Sequence, residues 1–246
     1  MSGHAGNQNF ILGDRPLSGC VLYLDATNSL VSSSYGFNTS EWSPVLGSSY
    51  TLYNSPAYSS SFSGGCVNFN GSTQYAVNDS NLSLYFHSSA VSFNMWFYPV
   101  SQGQIVSEWG QSNYGGWHDA QLEIYNNGAN SGSFSFIIWG GYNTNYVRSA
   151  AVPYNKWYML TLTHTGTILT GYLNGNSLGT KNFTREAPYN NGYQLFYALC
   201  RSDETNTIGT TAYAGGKVGH FSVYNSAISA TDITNLYSGS KARFGL

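Results

Sequence analysis

Val91-Ser92-Phe93-Asn94-Met95-Trp96-Phe97-Tyr98 decides the fold. Val91, Phe93, Met95 and Phe97 alternate with Ser92, Asn94, Trp96 and Tyr98, and a period of two is the strand period, so one set is expected on a core and the other outward. The pattern recurs on both sides. Phe134, Phe136 and Ile138 alternate with Ser135, Ile137 and Trp139. Trp157 to His164, a turn at Thr165-Gly166, and Ile168 to Leu173 form one hairpin, and Asn174-Gly175 opens a second, because both residues tolerate the positive φ of a type I′ turn. A single helix is expected near the end: Ser229-Ala230-Thr231-Asp232 is a capping box with Asp in place of Glu, Ile233, Leu236 and Tyr237 follow at helical spacing, and Gly239 supplies a stop. Strands punctuated by Gly, Asn and Ser turns, without alternating strand–helix units, give an all-β chain of two antiparallel sheets packed face to face.

The 246 residues fit one large sandwich. Charged residues make up 8%, against roughly 25% in an average soluble domain, and Ser, Asn, Thr, Gly and Tyr fill the surface instead. Such an exterior suits extracellular particles, glycan contacts and packing against neighbours, since few charges must be desolvated when two faces meet. The nine Lys/Arg and eleven Asp/Glu are scattered singly, so there is no basic stripe for phosphates and nucleic acid is excluded as a partner. No run approaches a membrane span, and Met1 to Gly13 has neither the basic segment nor the apolar stretch of a signal peptide, so the expectation is a protein made in a cytoplasm with no membrane partner. Cys20 and Cys66 each open a strand-like run and read as buried thiols, with a Cys20–Cys66 bridge as the alternative; Cys200 is the third cysteine. Sequons beginning at Asn38, Asn70, Asn78, Asn81 and Asn182 follow from a composition rich in Asn, Ser and Thr.

Residues 1–16 show neither strand nor helical period and read as an extended N-terminal arm. Termini fray unless tied down, so the arm, with Phe10, Ile11 and Leu12 as its apolar segment, is expected to grip a neighbour. Residues 17–246 form the sandwich with its C-terminal helix and tail.

Several segments in that range carry a family likeness. Leu22-Tyr23-Leu24-Asp25-Ala26, then Trp42 and Tyr53-Asn54-Ser55-Pro56-Ala57-Tyr58, form a leading segment. Gly64 to Tyr75, Ser92 to Phe97, Lys156-Trp157-Tyr158 through Tyr172-Leu173-Asn174-Gly175, and Tyr224-Asn225 through Leu246 complete the set. Together they resemble laminin-G-like, concanavalin-A-type jelly rolls, in the variant common in virion proteins of tailed bacteriophages. The resemblance implies a concanavalin-A-like antiparallel jelly roll and a virion setting. Many relatives carry acids where this chain reads Phe69-Asn70-Gly71-Ser72-Thr73-Gln74-Tyr75. Calcium takes six to eight oxygens, usually with carboxylates among them, so no cofactor or metal is expected beyond a weak calcium site at Asp25.

Relatives of this fold that cleave polysaccharides place two acids on one strand, whereas glycosidic cleavage needs carboxylates about 5 to 9.5 Å apart. No two acids here stand at i, i+2. Asp119 and Glu123 are i, i+4, which in a strand is about 13 Å, and Asp203 and Glu204 point to opposite faces. A cross-strand dyad of Glu108 and Glu123 is the remaining enzymatic arrangement. The five histidines show no metal spacing, and His164 and His220 read as packed strand residues. Gly115-Gly116, Gly140-Gly141 and Gly215-Gly216 read as turns.

Aromatic rings beside Asn, Asp and Gln suit a sugar, whose C–H patch stacks on a ring while its hydroxyls take directed hydrogen bonds. Trp109, Tyr114, Trp117, His118 and Asp119, with Trp139, Tyr142, Asn143 and Tyr146, are the candidate site, for glycan or for subunit contact. No catalytic residue is assigned. The expected function is a non-enzymatic virion component, a capsid decoration or cement protein in many copies or as a homo-oligomer, contacting the major capsid or a tail protein. A lectin-like module binding a host surface glycan from a tail or fibre is the alternative, and a glycoside hydrolase the third reading.

Overall fold

The computed structural model describes residues 16–26, 37–38, 40–109, 118–125, 131–138, 146–182, 184, 194–201 and 213–246. Among these residues seventeen strands follow in chain order. They are β1 (Cys20–Asp25), β2 (Phe37–Asn38), β3 (Glu41–Trp42), β4 (Tyr50–Tyr53), β5 (Ala57–Ser59), β6 (Cys66–Asn70), β7 (Tyr75–Asn78), β8 (Val91–Pro99) and β9 (Gly103–Trp109). Then come β10 (His118–Ile124), β11 (Ser133–Phe136), β12 (Val147–Ala151), β13 (Tyr158–His164), β14 (Ile168–Leu173), β15 (Asn176–Asn182), β16 (Phe196–Leu199) and β17 (Gly215–Tyr224), and the helix α1 (Ala230–Ser240). No helix among the described residues is long and apolar enough to cross a membrane.

Two antiparallel sheets carry these strands. The eight-stranded sheet runs β15-β14-β13-β8-β17-β6-β5, with β1 also on β17, and the nine-stranded sheet runs β12-β11-β10-β9-β16-β7-β4-β3-β2. Their inner faces make the core: Phe93, Met95, Phe97, Leu160, Leu162, Phe221 and Val223 from one sheet meet Tyr50, Leu52, Val106, Leu122, Phe134, Phe136 and Tyr197 from the other. The rings of Phe93 and Tyr197 meet edge to face at 4.9 Å, the offset geometry that aromatic quadrupoles favour. The Asn174-Gly175 turn takes the expected positive φ values of 51° and 80°, those of a type I′ connection.

The outward set of β8 departs from its expected exposure. Ser92, Asn94 and Trp96 are buried as fully as their inward neighbours, because the C-terminal segment forms a third layer over this face. Trp96, Met159, Tyr172, Tyr224, Ile233, Leu236 and Phe244 form a second apolar cluster there. Phe244 stacks on Trp96 at 4.2 Å and meets Trp157 at 4.7 Å. Gly219 makes room for it: a Cβ there would stand 2.6 Å from the Phe244 ring.

Helix α1 begins as expected, the Ser229 hydroxyl accepting from the Asp232 N–H at 3.1 Å. It does not stop at Gly239. It runs to Ser240 and passes into a 3-10 turn over Lys241–Phe244, and the left-handed residue is Gly245, at φ 76°. Packing overrides the glycine, since Trp96 Nε1 donates to Ser240 Oγ at 3.0 Å and Phe244 must reach Trp96. Gly215-Gly216 likewise is not a turn but opens β17, pairing with Asn70 and Phe69; a Cβ on Gly216 would lie 2.4 Å from the Phe97 ring.

All three cysteines are free, which sets aside the Cys20–Cys66 bridge. Strands β1 and β6 lie end to end along one side of β17: β6 pairs with Gly215 to Val218 and β1 with His220 to Tyr224. Cys20 stands at the far end of β1, roughly 17 Å from the end that adjoins β6, well beyond disulfide reach. Burial pushes the Cys20 thiol up to about 12 and the Cys66 thiol to about 11.

Candidate functional site

The nine-stranded sheet has an outer face built by strand alternation. In β4, Tyr50 and Leu52 enter the core, so Thr51 and Tyr53 face out. Ala76 enters the core in β7, Tyr197 and Leu199 in β16, and Val106 in β9. Tyr75, Val77, Phe196, Ala198 and Trp109 therefore share the outer face, where they form a cluster with Tyr213 packed against it. In β10 and β11, Leu122, Ile124, Phe134 and Phe136 enter the core, leaving Glu123 and Ser135 outward; in β12, Val147 enters and Arg148 faces out, with Ser135 and Arg148 in register.

An aromatic row lies on this face. Tyr53 and Tyr75, in register on β4 and β7, stack at 4.3 Å with parallel rings. Tyr53 is 37% exposed and forms the open end. The Arg201 guanidinium lies 4.5 Å from the Tyr75 centroid and 5.3 Å from that of Tyr213. A polar relay positions it: Trp109 Nε1 donates to Ser107 Oγ at 2.8 Å, and the Ser107 hydroxyl donates to the Arg201 carbonyl. Four strand positions across the sheet, the Arg148 guanidinium lies between the rings of Tyr125, at 3.6 Å, and Tyr146, at 3.8 Å, and donates to Ser135 Oγ at 2.7 Å.

The sequence-predicted residues distribute unevenly over this surface. Tyr146 is there, half-buried under Arg148. Trp109 is on the same face but 0% exposed, so its ring is packing and positioning material with no face open to a sugar. His118 and Asp119 lie at the start of β10, in register with Trp109 and Glu108. Tyr114, Trp117, Trp139, Tyr142 and Asn143 lie outside the described residues, as do Phe10, Ile11 and Leu12 of the arm, Asp203 and Glu204. Tyr53, Tyr75, Tyr125, Arg148, Arg201 and Tyr213 were not singled out from sequence. Their signal is the strand phase opposite to the core residues, and it becomes a site only once the strand order is known.

The acids are arranged for structure. Glu108 is buried and accepts from the Tyr197 hydroxyl at 3.1 Å, with the Tyr197 ring between the sheets. Glu123 is in register with Gln104, four residues from Glu108 along β9, which is about 13 Å of strand and beyond the spacing of a glycosidase pair. The two oxygens of Asp25, the residue considered for a weak calcium site, accept from Arg243 Nη1 and Nη2 at 3.0 and 2.8 Å. Asn70 Oδ1 accepts from the N–H groups of Ser72, Thr73 and Gln74, so this oxygen closes its own loop. Among the described residues no cluster of three metal-ligating side chains occurs. His220 packs edge-on against Tyr23 at 4.6 Å; burial holds its pKa down to about 4, opposed by the Asp25 carboxylate and aided by Arg243.

A two-sheet antiparallel sandwich with one short C-terminal helix is consistent with a jelly roll. The sequence matches the model of the concanavalin A-like lectin/glucanases superfamily (Laminin_G_3) over residues 69–234, more than half the chain, and the chain belongs to that superfamily. No curated protein matches the sequence. Among solved structures, domain 4 of AbnA, an extracellular arabinanase of Geobacillus stearothermophilus solved with arabinotriose, is similar at 14% identity and a TM-score of 0.58, covering 89% of this chain and 98% of that one. The binding domain of botulinum neurotoxin serotype D/C is similar at 13% identity and a TM-score of 0.63, covering 90% of this chain and 52% of that one. A Trypanosoma rangeli sialidase, solved with 2,3-difluorosialic acid, is similar at 14% identity and a TM-score of 0.60, with 90% of this chain matching 33% of that one. The chain thus spans about half of the toxin chain and a third of the sialidase.

Proposed function

We propose that this protein is a non-enzymatic glycan-binding module whose site is the outer face of the nine-stranded sheet. The observation that carries the reading is the row Tyr53–Tyr75–Arg201–Tyr213, with one ring open at its end and a second arginine–tyrosine stack across the sheet. Flat rings take the C–H patches of a sugar, and the guanidinium edges and neighbouring hydroxyls take its oxygens. The arabinotriose in the similar arabinanase domain supports a sugar as ligand for this fold, although a shared fold does not carry a function by itself. Support for binding without hydrolysis comes from Glu108, whose carboxylate is sunk between the sheets, and from its separation from Glu123. A glycan array of bacterial and algal polysaccharides tests the reading. Wild-type protein binds a defined subset and Tyr53→Ala loses it with an unchanged melting temperature; silence of the wild type across the array overturns it.

A second reading, compatible with the first, places the module on a tailed-phage particle as a decoration protein. Its support is the sequence resemblance of the two ends and the apolar pair Leu84–Tyr85, 76% and 50% exposed on a 3-10 turn. Asn225 Nδ2 donates to the Tyr85 carbonyl at 2.9 Å and holds that turn outward, as a contact with a neighbouring subunit requires. Immunogold localisation with copy number tests it: hundreds of copies on a shell support decoration, a few at a tail support a receptor-binding role, and absence from particles removes the reading.

A further inference from the structure

We infer that the exposed apolar turn Leu84–Tyr85 is the seat of this chain's own N-terminal arm, with Phe10, Ile11 and Leu12 as the segment it receives. The inference is independent of the glycan reading and adds to the decoration reading, since a neighbouring subunit then meets arm and turn together. Leu84 and Tyr85 are 76% and 50% exposed and stand side by side, whereas Leu46, Val100, Ile168 and Leu246, also exposed, are spread singly along the chain. The turn that presents them is held from below. Leu82 and Phe86 on either side are buried, and the Leu82 N–H donates to the Leu195 carbonyl at 2.8 Å. Asn81 Oδ1 accepts from the N–H groups of Ser83 and Leu195 at 3.0 and 2.8 Å. Two apolar side chains on a fixed frame cost little ordering when they are covered, which favours their use as a seat.

The arm starts beside this turn. Residues 1–15 lie outside the described residues, and the described chain begins at Pro16. Gly19 then lies against Asn225: the Asn225 N–H donates to the Gly19 carbonyl at 2.9 Å, and a Cβ on Gly19 would stand 2.9 Å from Asn225 Oδ1. The same Asn225 side chain donates through Nδ2 to the Tyr85 carbonyl at 2.9 Å. One carboxamide thus spans the gap between the root of the arm and the turn. Leu12 precedes Gly19 by seven residues, a length that reaches up to about 24 Å, so the apolar segment can fold back onto Leu84 and Tyr85 without stretching. A tether this short holds the segment at an effective concentration on the order of millimolar, above any ordinary concentration of a second copy. The occupant is therefore the arm of the same chain.

The two surfaces match in charge. Residues 1–13 carry no Lys, Arg, Asp or Glu side chain, and neither do residues 16–24, 80–91 and 223–231, which build the turn and its surroundings. The acids that flank this region are engaged elsewhere: Asp79 accepts from the N–H and hydroxyl of Thr51, and Asp232 from the hydroxyl of Ser229. Phe10, Ile11 and Leu12 can therefore cover Leu84 and Tyr85 without stripping water from a charge. Asp14 and Arg15 fall in the connection between segment and root, outside the apolar contact.

The test is limited digestion of the full chain at one fixed concentration of chymotrypsin, with cleavage after Phe10 and Leu12 followed by mass spectrometry. The Leu84→Ser/Tyr85→Ser variant should be cut there about tenfold faster than wild type, with its melting temperature unchanged. Val100→Ser, at the opposite end of β8, should be cut at the wild-type rate. Wild-type protection should persist through a hundredfold dilution, as a contact within one chain requires. A reading that leaves the turn intact is iodination of Tyr85, which should be several-fold faster in Phe10→Ser/Leu12→Ser than in wild type. Equal cleavage of wild type and the turn variant, equal acceleration in Val100→Ser, or an unchanged iodination rate overturns the inference. Protection lost on dilution overturns it as well and makes the occupant a second copy. Neither result touches the glycan array or the localisation on particles, so those readings stand or fall separately.

Discussion

The two sheets of this sandwich have outer faces of opposite character. That of the eight-stranded sheet is roofed by helix α1 and the 3-10 turn after it, so Trp96, Met159 and Phe244 are as buried as core residues. That of the nine-stranded sheet carries stacked tyrosines and arginines, with Tyr53 partly open to solvent. Aromatic residues line both. On both faces rings meet one another and cationic side chains, Arg243 over Phe244 and Lys217 over Tyr98 on the first, Arg201 over Tyr75 and Arg148 over Tyr125 on the second. Aromatic content alone does not mark a binding surface. What separates these two faces is whether a ring keeps access to solvent, as Tyr53 does and Trp96 and Phe244 do not.

The sharpest way to break this comparison is to make the two faces respond alike. Trp96→Ala removes the floor beneath Phe244 and should cost about 3–5 kcal/mol of stability in a denaturant titration, with glycan affinity unchanged in the protein that remains folded. Asp25→Ala strands the Arg243 guanidinium that ties the lid to β1, a buried-pair disruption expected to cost about 3 kcal/mol. Asp25→Asn, which keeps acceptor and donor groups near Arg243, should cost less.

The lid face should also be the pH-sensitive one. His220 is held neutral by burial, with a pKa of about 4 against 6.5 when unfolded. The unfolded chain therefore binds the extra proton first, and stability is fully present above pH 6.5 and falls as pH drops toward 4. The loss at the acid end is roughly 3 kcal/mol. Asp25 and Arg243 lie beside the ring, the carboxylate opposing the downward shift and the guanidinium aiding it. His220→Phe should flatten the pH 4–6.5 part of the profile. The smallest expected effect is on the open face: Tyr53→Ala should change stability by less than about 1 kcal/mol while abolishing sugar binding.

The fold was legible because strand alternation is written locally. Val91 to Phe97 announced an inner set that the structure retains, and Asn174-Gly175 announced its turn. The third layer was not legible: Trp96 sits at an outward phase, and only the return of Phe244, about 150 positions later, buries it. For the same reason Gly239 failed to end the helix, while Gly215-Gly216 entered a strand because it pairs with Asn70 and Phe69 on β6. The face proposed here for binding was not legible in place. Clusters of Trp and Tyr in loops drew attention to Trp109, which the structure buries. Tyr53, Tyr75, Arg148 and Arg201 are single residues on four separate segments, brought to one row by a strand order that no short window contains. Tyr146, named for its aromatic stretch, lies under the Arg148 guanidinium on this face.

The most direct measurement is amide hydrogen exchange of the full chain with and without the strongest ligand from the glycan array. The account predicts slowed exchange concentrated in β4, β7 and β12 and around Arg201, with β15 and the helix α1 unchanged. Protection confined to β15, α1 or the Leu84–Tyr85 turn would contradict it, and would move the binding surface away from the nine-stranded sheet.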